Sequence, residues 1–177
     1  MRVFRGGLAI ALACLSSFTA AQSSDQAVAA RLLGPHWKQL SRRAGMIFAG
    51  TVLSAQNRAV KRAGNNRLAP GATPAIELSF RVDEAIAGVE RGQILTIREW
   101  AGAWSMHRPM TKGQRILIFL YPPSRLGLTS PVGGSVGQVF LDHDGQNAVV
   151  GGGTESAGAV SVVQLERAIR SAREERQ

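Results

Sequence analysis

The segment Ile76–Asp83 constrains the fold more than any other part of this chain. Within it, four apolar residues alternate strictly with four polar residues. Because successive side chains of a strand point to opposite faces, this pattern is typical of a β-strand that buries one face. Strand-like segments flank it on both sides, separated by clusters of Gly, Pro and Asn. The centre of the chain is therefore predicted to be a small, mainly β domain.

Residues 1–21 have the composition of a secretory signal peptide. A basic start at Arg2 and Arg5 is followed by a short apolar run and by small residues ending at Ala21. The run is too short to remain as a membrane anchor, and no later segment reaches the ~20 apolar residues that a bilayer requires. We therefore expect an exported protein, periplasmic or extracellular, without a transmembrane segment.

The single cysteine, Cys14, lies inside that apolar run. Leu12-Ala13-Cys14 loosely resembles a lipobox, so a lipid-anchored form is the alternative to cleavage after Ala21. With cleavage, the mature chain has no cysteine and hence neither a disulfide nor thiol chemistry. Its stability must come from an ordinary core, for which a hydrophobic content of 45% is sufficient.

The chain is basic, with a formal net charge of +9 at pH 7. Removing Arg2 and Arg5 with the signal peptide leaves 19 basic and 12 acidic residues, a net charge of +7. A basic exported protein attracts anionic surfaces such as lipid headgroups, acidic glycans or acidic proteins, although charge also serves solubility alone. Export argues against a nucleic-acid partner. The oligomeric state is open.

The pattern along the chain predicts a helical amino-terminal segment (22–43), a β domain (44–150), a Gly-rich linker (151–160) and a carboxyl-terminal helix (161–177). Within the first segment, a short amphipathic helix follows Pro35. The last helix begins with a capping-box pattern formed by Ser161 and Gln164. Strands are predicted at 46–53, 75–86, 94–100, 115–121, 136–141 and 148–150. Five or six such strands favour a small OB-type barrel, because closure removes exposed edges.

Three segments resemble the netrin/TIMP-like superfamily, and especially its bacterial envelope members: Ala44–Val52, Phe80–Gly88 and Lys112–Leu120. The resemblance extends over about 44–141. It implies an OB-type five-stranded barrel with flanking helices, used as a scaffold for binding. The amino-terminal cysteine and the disulfides of the animal members have no counterpart here, so their inhibitory activity does not carry over.

Two connections are candidates for a binding surface. The first, 54–74, is long for a compact domain and lies where OB-type barrels often bind ligands. We predict that its basic residues attract an envelope protein or an anionic polymer; they are Arg58, Lys61, Arg62 and Arg67. The second, 100–114, contains Trp104 and Met110, residue types enriched at interface centres, which would provide apolar contact. The alternatives are a solvated first loop and tryptophans that plug one end of the barrel.

An enzymatic function has one weak candidate motif. Gly133–Gly137 matches the nucleophile elbow G-x-S-x-G, so the alternative function is a small serine hydrolase that uses Ser135. That motif requires a preceding strand and a following helix, whereas a strand pattern follows here. We therefore predict a binding protein rather than an enzyme.

The sequence shows no clear metal or cofactor site. Asp142–Gly145 favours a hairpin turn over a calcium loop, because its glycine comes fourth rather than sixth. The three histidines are too scattered along the chain for a zinc site; they are His36, His107 and His143. Glu99 has no partner that the sequence marks. We accordingly expect no metal and no cofactor.

Overall fold

The structure, a computed structural model, describes residues 24–58, 74–149 and 160–175. The predicted signal peptide with Cys14, most of the first candidate loop and nearly all of the Gly-rich linker lie outside these residues. None of the helices within the described ranges is long and apolar enough to cross a membrane.

A five-stranded antiparallel sheet forms the centre of the protein, which confirms the predicted mainly β class. In the order β3-β2-β1-β4-β5, the strands are β1 (Met46–Arg58), β2 (Ala75–Ala87), β3 (Ile94–Trp100), β4 (Arg115–Leu120) and β5 (Gln138–Phe140). A short ribbon consists of β6 (Asn147–Ala148) and β7 (Val160–Ser161). The helices are α1 (24–33), α2 (Trp37–Arg43), α3 (Ala101–Trp104) and α4 (Val162–Glu174).

Strand β1 is long because it pairs with different neighbours along its length. Its first half pairs with β4, while its ladder with β2 continues to Arg58, beyond the predicted end at residue 53. Three register shifts interrupt the β1–β2 ladder, and such bulges bend a strand. At one of them a Cβ on Gly50 would lie 2.5 Å from the carbonyl oxygen of Arg81, so this close approach requires glycine.

The bent sheet is open, so the predicted closed barrel is not found in the described residues. Strands β3 and β5 are its two edges. Residues 128–131 cross between β3 and β4 through isolated bridges only, with Leu128 beside Arg98 and Pro131 beside Leu120. A connecting segment therefore covers the gap that a continuous strand ladder would have closed.

The concave face of the sheet encloses the first of two hydrophobic cores, here called the inner core. The rings of Phe48 and Phe80 meet edge-to-face in it, with centroids 5.5 Å apart. All four apolar residues of the alternating segment are buried, as predicted. The inner core consists of Phe48, Val52, Ile76, Leu78, Phe80, Val82, Ile97, Met110, Ile116, Ile118 and Leu120.

Helices α1, α2 and α4 pack on the opposite face, where they form the outer core with β1, β4 and β5. Strand β4 is buried on both faces, as its continuous apolar sequence predicted. The predicted apolar stripe of α4 is buried too; it comprises Val162, Leu165, Ile169 and Ala172. Helix α1 was not predicted as a separate element, and Ala29 and Leu33 carry its buried side.

The ends of α2 and α4 are held by each other's arginines. Arg42 Nε donates a hydrogen bond to the carbonyl of Ala172 (3.0 Å), and Arg173 Nη1 donates to the carbonyls of Ser41 (2.7 Å) and Ala44 (3.0 Å). These contacts satisfy carbonyls that the last turn of a helix leaves free.

Two local predictions were wrong. The capping box at the start of α4 does not form: Ser161 is the N-cap residue but makes no side-chain cap hydrogen bond. The amide of Val162 instead donates to the carbonyl of Gln146 at 2.9 Å. The strand predicted over 136–141 is shorter, because Gly134–Gly137 forms a 3-10 turn before β5.

We expect Phe80→Ala to lower the free energy of unfolding by about 3–5 kcal/mol, since it removes a fully buried ring from the inner core. Ile94→Ala is the matched control because Ile94 is 68% exposed, and its effect should stay within about 0.5 kcal/mol. Urea denaturation of the chain that begins at residue 22 measures both. Equal effects would contradict the assignment of the two faces of the β2–β3 ladder.

Candidate functional site

The two candidate loops meet at one end of the sheet. Across the strands, Arg58 pairs with Ala75, and Ala75 pairs with Trp100. The amide of Ala101 donates a hydrogen bond to the carbonyl of Pro74 at 3.0 Å. Arg58 and Pro74, the described residues on either side of 59–73, therefore lie beside the residue that begins the second connection.

Most of the predicted basic residues are not among the residues that the structure describes. Lys61, Arg62 and Arg67 lie outside the described residues, and Arg58 is described through its backbone pairing with Ala75.

The predicted apolar residues turn inward. Met110 is 2% exposed and belongs to the inner core, so its side chain is not available at the surface. Trp104 is half-buried against that core, with its ring edge-to-face to His107 at 5.2 Å. The interpretation that a tryptophan of this loop plugs one end of the sheet thus describes Trp104, whereas Trp100 is 49% exposed.

The exposed apolar groups at this end are different residues. Met106 follows α3 and is 80% exposed, and Leu126 is 72% exposed. The turn that carries Leu126 lies beside β3, because the amide of Thr129 donates to the carbonyl of Arg98 at 2.8 Å. Sequence reasoning missed this turn since it is distant along the chain. The strand alternation does place Arg98 and Trp100 on the outward face of β3.

We use the term loop end for the connections 101–114 and 121–137 together with the outward residues Arg98 and Trp100. Both connections lack acidic residues, and they carry Arg108, Lys112 and Arg125. On the strands the charge is mixed, because Glu77 of β2 lies opposite Arg98 in the ladder. The net positive charge of the loop end favours an anionic ligand.

Beneath the loop end lies a buried cluster of Glu99, His107 and Gln138. Strand β3 turns Glu99 inward, where its side chain is 0% exposed. His107 Nε2 donates to both carboxylate oxygens of Glu99 at 2.9 Å, and Gln138 Nε2 donates to His107 Nδ1 at 2.9 Å. The cluster therefore ties the connection 101–114 to β3 and β5. The signal in the sequence was a glutamate at an inward position of an alternating strand.

The cluster is unbalanced in charge and in hydrogen bonding. Burial raises the pKa of Glu99, and the hydrogen bond from His107 and its charge offset part of that rise. Gln138 Oε1 is buried without a partner. A Gln amide rotated by 180° would place Oε1 against His107 Nδ1, where it would accept a proton on that nitrogen. The two amide orientations therefore present either a donor or an acceptor to His107 Nδ1.

The geometry does not place a base beside Ser135. This serine is exposed in the 3-10 turn, and the ring nitrogens of His107 hydrogen-bond Glu99 and Gln138. Within the described ranges, no group of three or more His, Cys, Asp or Glu side chains could hold a metal ion.

Two clefts, of about 370 and 200 Å³, flank Arg115 on another part of the surface. Their polar groups are largely engaged with one another. Arg81 Nε donates to Asp83 Oδ1 at 2.8 Å, and Arg115 donates to the carbonyl of Asp144. In the smaller cleft, burial and the charge of Glu84 raise the pKa of Glu166, while Arg170 and Arg91 oppose the rise. Neither cleft presents an exposed apolar group beside a set of unopposed cations.

No protein-family model, curated protein or solved structure matches this chain. The site is therefore argued from its own geometry.

Replacing Glu99 by glutamine should change how stability depends on pH. Between the pKa of an unfolded glutamate, about 4.3, and the raised pKa of Glu99, the native state binds more protons than the unfolded state. The contribution of Glu99 to the free energy of unfolding is therefore greatest below the unfolded pKa and is lost as pH rises through the folded pKa. The stability of the wild type relative to E99Q should fall as the pH rises from about 4.3 through the raised pKa of Glu99.

Urea denaturation at several pH values measures this difference. Glu90→Gln is the matched control, because it makes the same change of charge at an exposed turn and should keep the wild-type profile. Parallel profiles for wild type and E99Q would contradict the assignment.

Proposed function

We propose that this protein is an exported, non-enzymatic binding protein of the cell envelope that holds an anionic polymer or an acidic protein surface at its loop end. The observation that carries the proposal is the register Arg58–Ala75–Trp100, which brings the end of β1 and the start of the second connection to one end of the sheet. Export through the signal peptide of residues 1–21 is part of the proposal.

The chemistry of the loop end supports this function. Arg98, Arg108 and Arg125 are exposed; the two connections carry no acidic residue, and Glu77 of β2 lies opposite Arg98 in the ladder. Exposed apolar residues lie close to these cations along the chain, and aromatic residues, Met and Arg are enriched at interface centres. The groups that provide apolar contact in this proposal are Trp100 and Met106, in place of the buried Met110.

An OB-type scaffold of the netrin/TIMP-like kind belongs to the same proposal. Three features support it: the bent β1 shared between β2 and β4, the segment 128–131 that crosses from β3 to β4, and helices packed on one face. In OB-type folds, the outward face near strands 2 and 3 and the adjoining loops bind ligands. The loop end corresponds to that region.

The triple variant Arg98→Gln, Arg108→Gln, Arg125→Gln tests the electrostatic part. Glutamine keeps much of each side chain's stem while removing its charge. At about 0.5 kcal/mol for each exposed cation, affinity for a polyanion at low salt should fall roughly tenfold. Binding of the mature protein to poly-L-glutamate, titrated in increasing salt, measures this.

The matched control removes the same charge elsewhere, through Lys38→Gln, Arg43→Gln and Arg91→Gln. Lys38 and Arg43 lie on α2, and Arg91 lies in the turn between β2 and β3. If both triple variants lost affinity equally, net charge alone would explain binding and the proposed site would be wrong.

A further inference from the structure

Trp100 is held flat against the backbone at the start of α3. A Cβ built on Gly102 would lie 2.4, 2.5 and 2.6 Å from three adjacent carbon atoms of the six-membered ring of Trp100. A point in the plane of the ring, beside its edge, would be clearly farther from the second and third atoms than from the first. The near-equal distances show that Gly102 lies over the ring face.

One face of this indole is therefore covered by the glycine backbone, and the residue is still 49% exposed. Any side chain at position 102 would have to displace the ring. Trp100 is the last residue of β3, so its backbone is fixed by the ladder with Ala75. The result is a supported, exposed aromatic side chain that belongs to neither hydrophobic core.

A cation adjoins this side chain. Arg98 projects from the same face of β3 two residues earlier, and its guanidinium lies next to Gly127, within 3.1 Å of the position that a Cβ there would take. Arg98 thus provides a guanidinium group on the same face of β3 as the ring. Guanidinium groups bind carboxylates with directed, charge-assisted hydrogen bonds.

We infer that Trp100 is a stacking platform for a sugar ring of an acidic polysaccharide, with Arg98 binding the carboxylate. The electron-rich face of an indole attracts the positively polarised C–H groups on one side of a pyranose. This inference rests on the proposed function and names the ligand class of that site. Gly102 is a positioning residue, because it acts through the ring that it supports.

A single platform favours sugar over other polyanions. Proteins that bind single-stranded nucleic acid stack successive bases on several aromatic side chains. On the outward face of β1–β3 within the described residues, Trp100 is the sole aromatic residue. A flexible acidic peptide would use the charges but would gain little from a flat ring.

The test compares two polymers that carry the same charged group, polygalacturonate and poly-L-glutamate, matched in length and carboxylate concentration. The mature wild-type protein should bind polygalacturonate more tightly. Trp100→Ala should lose roughly tenfold in affinity for polygalacturonate, the size typical of one stacked aromatic contact, and a clearly smaller factor for poly-L-glutamate, which has no ring to stack. Isothermal titration calorimetry measures both, and circular dichroism checks the fold.

Gly102→Ala is the second variant, because it leaves the tryptophan in place and disturbs only its support. Alanine is a better helix former than glycine, so α3 should not be weakened. The variant should lose part of the preference for polygalacturonate. Ile94→Ala is the control, since it removes an exposed apolar side chain from the other end of the same face and should change neither affinity.

The outcomes separate the two proposals. Equal binding of both polymers, or an unchanged preference in both Trp100→Ala and Gly102→Ala, would overturn the stacking platform and leave the proposed function standing. Failure of the wild type to bind either polymer would overturn both. Tighter binding of a single-stranded oligonucleotide than of polygalacturonate would replace the sugar with nucleic acid as the ligand class.

Discussion

The burial of β4 on both faces is the constraint on which the rest of the structure depends. Ile116, Ile118 and Leu120 point into the inner core, while Leu117 and Phe119 point to the helices. All five residues are fully buried. One six-residue strand therefore contributes residues to both cores. The same element stabilises the helical layer and the bent sheet. A polar residue at any of these five positions would be unsolvated, which is why the segment is almost continuously apolar.

This arrangement decides which surface is left for function. The helices cover the outward face at β1, β4, β5 and the last part of β2, and they leave the outward side of β3 in contact with solvent. Along this strand, exposed residues alternate with residues of the inner core. Charged side chains on the exposed face therefore do not disturb the packing of the core. Inside, Glu99 and His107 anchor the connection that crosses the end of the sheet. A fixed connection over an open face is the setting in which a surface tryptophan can be held rigidly.

Local sequence patterns predicted those elements in which the spacing of apolar residues determines the buried side. The alternation at Ile76–Asp83, the apolar run of β4 and the stripe of α4 all specify which side is buried. Helix α1 was harder, because its small residues become buried only through contact with α2, α4 and the sheet. The prediction of a closed barrel failed for a related reason. Whether the two edge strands of the sheet pair depends on the bends in β1, and the β-bulges that cause such bends are not evident from amino-acid composition.

The candidate site was predicted in position more than in detail. The sequence placed a basic loop and an aromatic loop on one domain, and the strand register joins their ends. Which aromatic residue faces solvent depends on the backbone angles of a few residues around α3. Trp104 and Met110 entered the core, and Trp100 did not. The pairing of Glu99 with His107 and Gln138 joins three separate elements, which no short motif could indicate.

The reciprocal contacts of Arg42 and Arg173 have a consequence for how the chain matures. They join a helix near the beginning of the described chain to one at its end, with 129 to 132 residues between the bonded groups of Arg173 and its partners. During translation α2 emerges long before the guanidinium that covers its final carbonyls. The sheet can assemble from its own strands beforehand, whereas the helical layer is completed only after α4 has emerged.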